Sequence, residues 1–263
     1  MHTDNRNQRI AVTGATGRLG SHLVEILSQR GHDVVAIARS TGVDVVSGEG
    51  LDEALAGVET IIDAATGPSP DQEQATAFFT ASARNLQRAG AAAGAKRIIV
   101  VSIIGIDKFR GGYNAAKLAQ EQTLLEGPLP VRIVRAAQFH EFVDPLVGWT
   151  IQDGVAYVPE MRTQLVAARV VAETLADAAE EPDIENGRIT EVAGPQAEHL
   201  ADAAAALFAR RGDSIEVRES RGGPLAEPGD PDAEAYAEGA ALPNPGAKLA
   251  GPSFEEWLAT ATV

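Results

Sequence analysis

The chain has no cysteine among its 263 residues, which excludes disulfides, thiol nucleophiles and cysteine-ligated metals at a stroke. Basic residues are outnumbered, 22 against 37 acidic ones, for a formal charge of −15. A phosphate-backbone binder needs a basic patch, so nucleic acid is excluded as a partner, and an anionic membrane surface is disfavoured on the same ground. Long apolar runs are missing as well. The longest, "IIVVSIIGI" at 98–106, is far below the roughly 20 residues that span a bilayer. The polar start "MHTDNRNQRI" lacks the basic-then-apolar pattern of a secretion signal, and a cytoplasmic location is expected.

What the sequence has is alternation. Short β-branched runs at 9–14, 33–39, 43–46, 59–66, 96–105 and 131–137 are separated by helical stretches at 17–31, 51–57, 72–93 and 112–126. That rhythm predicts an α/β fold, a doubly wound parallel sheet covered by helices on both faces. The main sheet is expected over about 8–137, joined by a helix at 164–180 and a strand at 187–194. Residues 138–163 and 195–263 form a small substrate-covering lobe of the same single domain, closed by a helix at 254–261. The stretch 222–246 contains five prolines, five carboxylates and no basic residue, and reads as a long loop, either a lid or plainly disordered.

The first strand runs into "GATGRLG", with glycines at 14, 17 and 20. Bare backbone between a strand and a helix lets N–H groups and the helix N-terminus face a pyrophosphate, so Gly14, Thr16, Gly17, Arg18, Leu19 and Gly20 are assigned to a dinucleotide. A side chain at Gly20 is expected to push the helix off the sheet. Where NAD-specific folds place an acidic residue after the second strand, this chain has Arg39 and Ser40, which suit a 2′-phosphate. NADP(H) is therefore the preferred cofactor, with NAD(H) the alternative.

Tyr113 and Lys117 lie four apart, on one face of a helix. A phenol has an ordinary pKa near 10, and a neighbouring ammonium favours its ionised form, which is what a proton shuttle needs. Ser102, at the carboxyl end of the fifth run, can steady a substrate oxygen. His140 and Glu141 lack a third ligand at useful spacing, so no metal is assigned. Asn85 is given a structural role, and His22 and His32 are read as surface residues.

Together "TGATGRLG", "VVSIIGID", "YNAAKLAQEQ" and "RIVRAAQFHEF" resemble the NmrA-like branch of the extended and atypical short-chain dehydrogenase/reductases, over almost the whole length. The resemblance implies a Ser102, Tyr113, Lys117 catalytic set. It also implies that Asp44 and Val45, ending a third strand, cradle the adenine, and that Ala64, Ala65 and Thr66 border the ribose. Ala136, Gln138 and Phe139 would lie beside the nicotinamide. Ala136-Ala137 stands where many relatives have Pro-Gly. The implied function is an NADP(H)-dependent oxidoreductase passing hydride to a small carbonyl, quinone or related conjugated compound, with Tyr113 as proton donor. A non-catalytic NADP(H)-binding redox sensor is the alternative. The partner is a small-molecule substrate, and a homo-oligomer is compatible with the sequence.

Overall fold

The computed structural model describes residues 7–182, 185–221 and 232–261. In chain order the elements are β1 (Arg9–Thr13), α1 (Arg18–Gln29), β2 (Asp33–Ile37), α2 (Leu51–Ala54), β3 (Thr60–Asp63), α3 (Gln72–Ala93), β4 (Arg97–Ile103) and α4 (Gly112–Leu125). They continue with β5 (Val131–Ala136), α5 (Val143–Gly148), β6 (Ile151–Gln152), β7 (Val155–Pro159), β8 (Arg162–Thr163), α6 (Ala168–Glu180), β9 (Arg188–Ala193) and β10 (Glu198–His199). The chain closes with α7 (Leu200–Arg211), β11 (Glu216–Ser220), α8 (Ala233–Ala237), β12 (Lys248–Leu249) and α9 (Phe254–Thr260).

Seven strands form one sheet in the order β12-β9-β5-β4-β3-β1-β2. β1 pairs in parallel with β2 and β3, β3 with β4, and β12 with β9. This is the expected α/β architecture. The order reverses between β1 and β3, and in such sheets the crevice at the carboxyl ends of the two strands flanking the reversal is where ligands bind. The chain divides into two compact units. The first comprises Met1–Ser102, Ala115–Arg135 and Val171–Thr190, and the second Ile103–Asn114, Ala136–Val170 and Glu191–Val263.

Within the first unit the β-branched strands are buried on both faces, as a covered parallel sheet requires. Ile61, Ile98, Val100 and Ile133 pack with Leu86, Ala89, Leu124 and Leu129. α3 starts at an Asp71 cap that accepts a hydrogen bond from the Gln74 N–H (3.0 Å) and stops at Gly94 in the left-handed region (φ +79°), where its last carbonyls are satisfied.

In the second unit α5, β7, α7 and α9 enclose Val143, Val158, Leu200, Leu207, Phe254 and Leu258. β11-β7-β6 and β10-β8 form two small sheets there. α9 begins with a capping box between Ser253 and Glu256.

Three expectations fail locally. Residues 43–46 are a turn, not a strand: the Asp44 carboxylate accepts from the Val46 and Ser47 N–H groups (2.7 and 3.1 Å), and Asn85 donates to the Val45 and Val46 carbonyls. His32 is buried, its ring beside Glu180 (3.0 Å). Of the expected loop 222–246, residues 222–231 lie outside the described residues, while the rest contains α8 and the buried Ala240 and Ala241.

Candidate dinucleotide site

The glycine turn is held by its own backbone. Gly17 N–H donates to the Gly14 carbonyl (2.8 Å), and α1 starts at Gly17 without a side-chain cap, leaving its first-turn amides to a ligand or water. Gly14 has φ +65°, and a Cβ there would stand 2.6 Å from the Ala64 carbonyl oxygen. A Cβ at Gly20 would lie 2.1 Å from the Gly14 carbonyl oxygen. The third glycine is therefore required by the close approach of α1 to the backbone of Gly14 and Ala15, directly after β1. Thr16, Gly17 and Arg18 are exposed on the rim of the turn, and Leu19 and Gly20 are buried behind it. This cradle fits a dinucleotide pyrophosphate.

At the end of β2, Arg39 is exposed and opens a short 3₁₀ turn (Arg39–Thr41) with Ser40 exposed beside it. The turn is tied by Thr41, whose hydroxyl donates to the Ala38 carbonyl (2.8 Å) and accepts from the Ala38 N–H (3.1 Å). Asp44 and Val45 sit in the following turn, the Asp44 carboxylate already committed to backbone amides.

Behind the glycine turn lies a buried polar chain that the motifs did not announce. Asp63, at the end of β3, accepts from the Thr13 hydroxyl, the Ala65 N–H (3.2 Å) and the Gln120 side-chain amide (2.8 Å). The Gln120 carbonyl oxygen in turn accepts from the Lys117 ammonium. Lys117 also donates to the Val101 carbonyl (2.8 Å) and stands 4.6 Å from the centre of the Phe79 ring. Burial pulls its ammonium down to about 8, against the opposing influence of the Asp63 and Glu121 carboxylates. The sequence held two faint signals: an acidic residue closing the apolar run "TIID", and a glutamine three residues after Lys117, hence on its face of the helix.

Ser102, in β4, is 3% exposed, and its hydroxyl has no hydrogen-bond partner among the described residues. Ala64 and Ala65, partly exposed, and Thr66, exposed, follow Asp63 directly.

The remaining assigned residues belong to the second unit. Tyr113 is half-buried in the first turn of α4, and that helix is approached by residues 109–111 in a tightly held form. Asp232 accepts from the Arg110 and Gly111 N–H groups (2.7 and 3.0 Å), Asn114 donates to the Tyr236 hydroxyl, and the Tyr236 ring lies 4.4 Å from that of Phe109. Ala136 is buried at the end of β5. Gln138 accepts from the Thr163 hydroxyl, and Phe139 bridges to Val166. His140 is buried beside Phe254 and Trp257, donating from Nε2 to the Pro252 carbonyl (3.2 Å), while Glu141 accepts from the Ala168 N–H at the start of α6. Both side chains are thus engaged in holding the unit together.

Comparison with known proteins agrees with this geometry. A family model described as NAD(P)H-binding matches residues 14–182. A 4-hydroxy-tetrahydrodipicolinate reductase of Natronomonas pharaonis is 30% identical over 160 residues, 59% of this chain and 54% of that protein. The chain spans about half the length of the curated relatives it matches first. A nucleoside-diphosphate-sugar epimerase of Staphylococcus aureus superposes with a TM-score of 0.73 at 16% identity, covering 95% of this chain and 99% of that one. The NADPH-dependent quinone oxidoreductase of Escherichia coli, solved with NADPH, superposes with a TM-score of 0.67 at 20% identity, covering 95% and 98%. No helix among the described residues is long and apolar enough to cross a membrane. A glycine turn at the strand-order reversal, a matching family model over most of the sheet and whole-length fold neighbours lead to one conclusion: the chain belongs to the NAD(P)H-binding family of the NmrA-like, extended short-chain dehydrogenase/reductase type.

Proposed function

We propose that the protein is an NADP(H)-dependent reductase of a small carbonyl, quinone or related conjugated compound. The observation that carries the reading is Ser102: a hydroxyl buried at the carboxyl end of a central strand, with no partner among the described residues, is expensive unless a ligand oxygen completes it. The reduced dinucleotide supplies a hydride when bound. Gly14, Gly17 and the uncapped start of α1 would hold its pyrophosphate, Arg39 and Ser40 its 2′-phosphate, and Lys117 its ribose. Tyr113, one helical turn before Lys117, donates a proton to the substrate oxygen, and Ser102 donates a hydrogen bond to that same oxygen. The Lys117 ammonium favours the ionised phenol and so eases the proton transfer.

The test is Tyr113→Phe, assayed with NADPH on a carbonyl and a quinone panel. Turnover of the carbonyl should fall about 10²–10⁴-fold while NADPH affinity holds, because the ring and the helix stay. Equal carbonyl rates in the wild type and the variant would remove the proton-donor role. Tight NADPH binding with no turnover of any substrate would make the protein a redox sensor. Arg39→Asp should lose about ten-fold or more in NADPH affinity and little in NADH affinity, read by fluorescence titration of both cofactors.

A further inference from the structure

The residues Thr13, Asp63, Gln120 and Lys117 form a buried, hydrogen-bonded polar chain behind the glycine turn. Thr13 is fully buried, Asp63 and Gln120 are each 1% exposed, and Lys117 is 4% exposed. Its direction is fixed by chemistry. An ammonium can only donate and a carboxylate only accept, so the Gln120 amide must turn its oxygen to Lys117 and its nitrogen to Asp63. That orientation aligns the amide dipole between the two charges, where it stabilises both. Asp63 also grips the Ala65 N–H, and Ala64 is the residue that Gly14 packs against. One carboxylate therefore touches the end of β1, the end of β3 and, through Gln120, the lysine of α4.

Resting on the reading of Lys117 as the ribose-binding cation, we propose that Asp63 and Gln120 are positioning residues for it: the amide links the carboxylate to the ammonium and holds it as an aligned cation beside the glycine turn. A buried lysine without such support tends to lose its proton. The charged and titratable groups around Lys117 are Asp63 from β3, Glu121 from α4, itself paired with Arg135 of β5, and Tyr113 one turn back. α3 presents the Phe79 ring and β4 the Val101 carbonyl.

The experiment is the pH dependence of NADPH binding between about pH 6.5 and 10, followed by fluorescence, which requires no turnover. Wild type should lose affinity through an alkaline limb with its midpoint near 8, where Lys117 gives up its proton. Asp63→Asn should move that midpoint down by about one pH unit, since the supporting charge is gone. Gln120→Glu, which sets a carboxylate against the ammonium, should move it up. Opposite shifts cannot come from general damage to the fold. A limb present in wild type, absent in Lys117→Met, and unmoved or moved in the same direction by both variants overturns the relay alone. A limb that persists in Lys117→Met overturns the lysine's role in binding, and the relay with it.

Discussion

In the first unit the Arg135 guanidinium is buried against Glu121 in a two-point pair (3.1 and 2.9 Å), with side-chain exposures of 8% and 4%. In the second, Arg218 and Glu216 pair at similar distances along one strand with 54% and 58% of their side-chain surface in water. The same two chemical groups at the same separation do different things. The buried pair fixes α4 to β5 because neither charge has water to turn to. The exposed pair is one of many arrangements that solvent accepts equally well. Arg97 follows the buried pattern, donating to the Thr60 hydroxyl and to the Ala179 and Glu181 carbonyls, and burial holds its pKa below the usual guanidinium range. The first unit thus holds buried charges at Arg135, Glu121 and Arg97 besides exposed pairs such as Arg88 with Asp52, whereas Arg221 with Glu160 and Arg218 with Glu216 keep theirs outside.

The contrast can be tested first where it is largest. Glu121→Ala removes the carboxylate from a buried guanidinium and should cost about 3–5 kcal/mol of unfolding free energy, read by urea denaturation. A loss close to zero would place Arg135 among the solvated cations and erase the difference between the two pairs.

A smaller effect sharpens the picture of the second unit. His140 is its buried titratable ring, and burial holds its pKa below the ordinary value near 6.5. The folded protein therefore takes up the proton less readily than the unfolded chain. Above that ordinary value both states are neutral and stability is full. As pH falls below it the unfolded chain protonates first, and stability declines until the folded value is passed. His140→Phe keeps a ring against Phe254 and Trp257 and should flatten the fall in stability below about pH 6.5. An unchanged slope would move the acid sensitivity elsewhere. The smallest effect is expected of Arg218→Ala, which should leave the melting temperature within measurement error.

Much of the nucleotide half was legible because its signals are local. An apolar run ending in Gly14, Gly17 and Gly20 specifies a strand, a turn and a helix with little help from elsewhere, and continuous β-branched runs between alanine-rich helical stretches placed α3, α4, β4 and β5 to within a residue or two. What failed were stretches whose fate depends on a distant partner. "VDVV" has strand composition, but the Asp44 carboxylate captures its own backbone, and Asn85 of α3 fixes the resulting turn. His32 looks like a polar residue at a helix end until Glu180, 148 positions away, is set beside its ring.

The glycine spacing, the alternation of strand and helix and the lack of basic surface charge determined by themselves that this is a parallel-sheet dinucleotide-binding fold, since backbone freedom and hydrophobic period are properties of neighbouring residues. Tertiary structure alone decided the engagement of His140 and Glu141 in packing and helix capping. It alone joined Thr13, Asp63 and Gln120 to Lys117. Those residues come from three separate segments, and a buried charge acquires its partner only when the chain has folded around both.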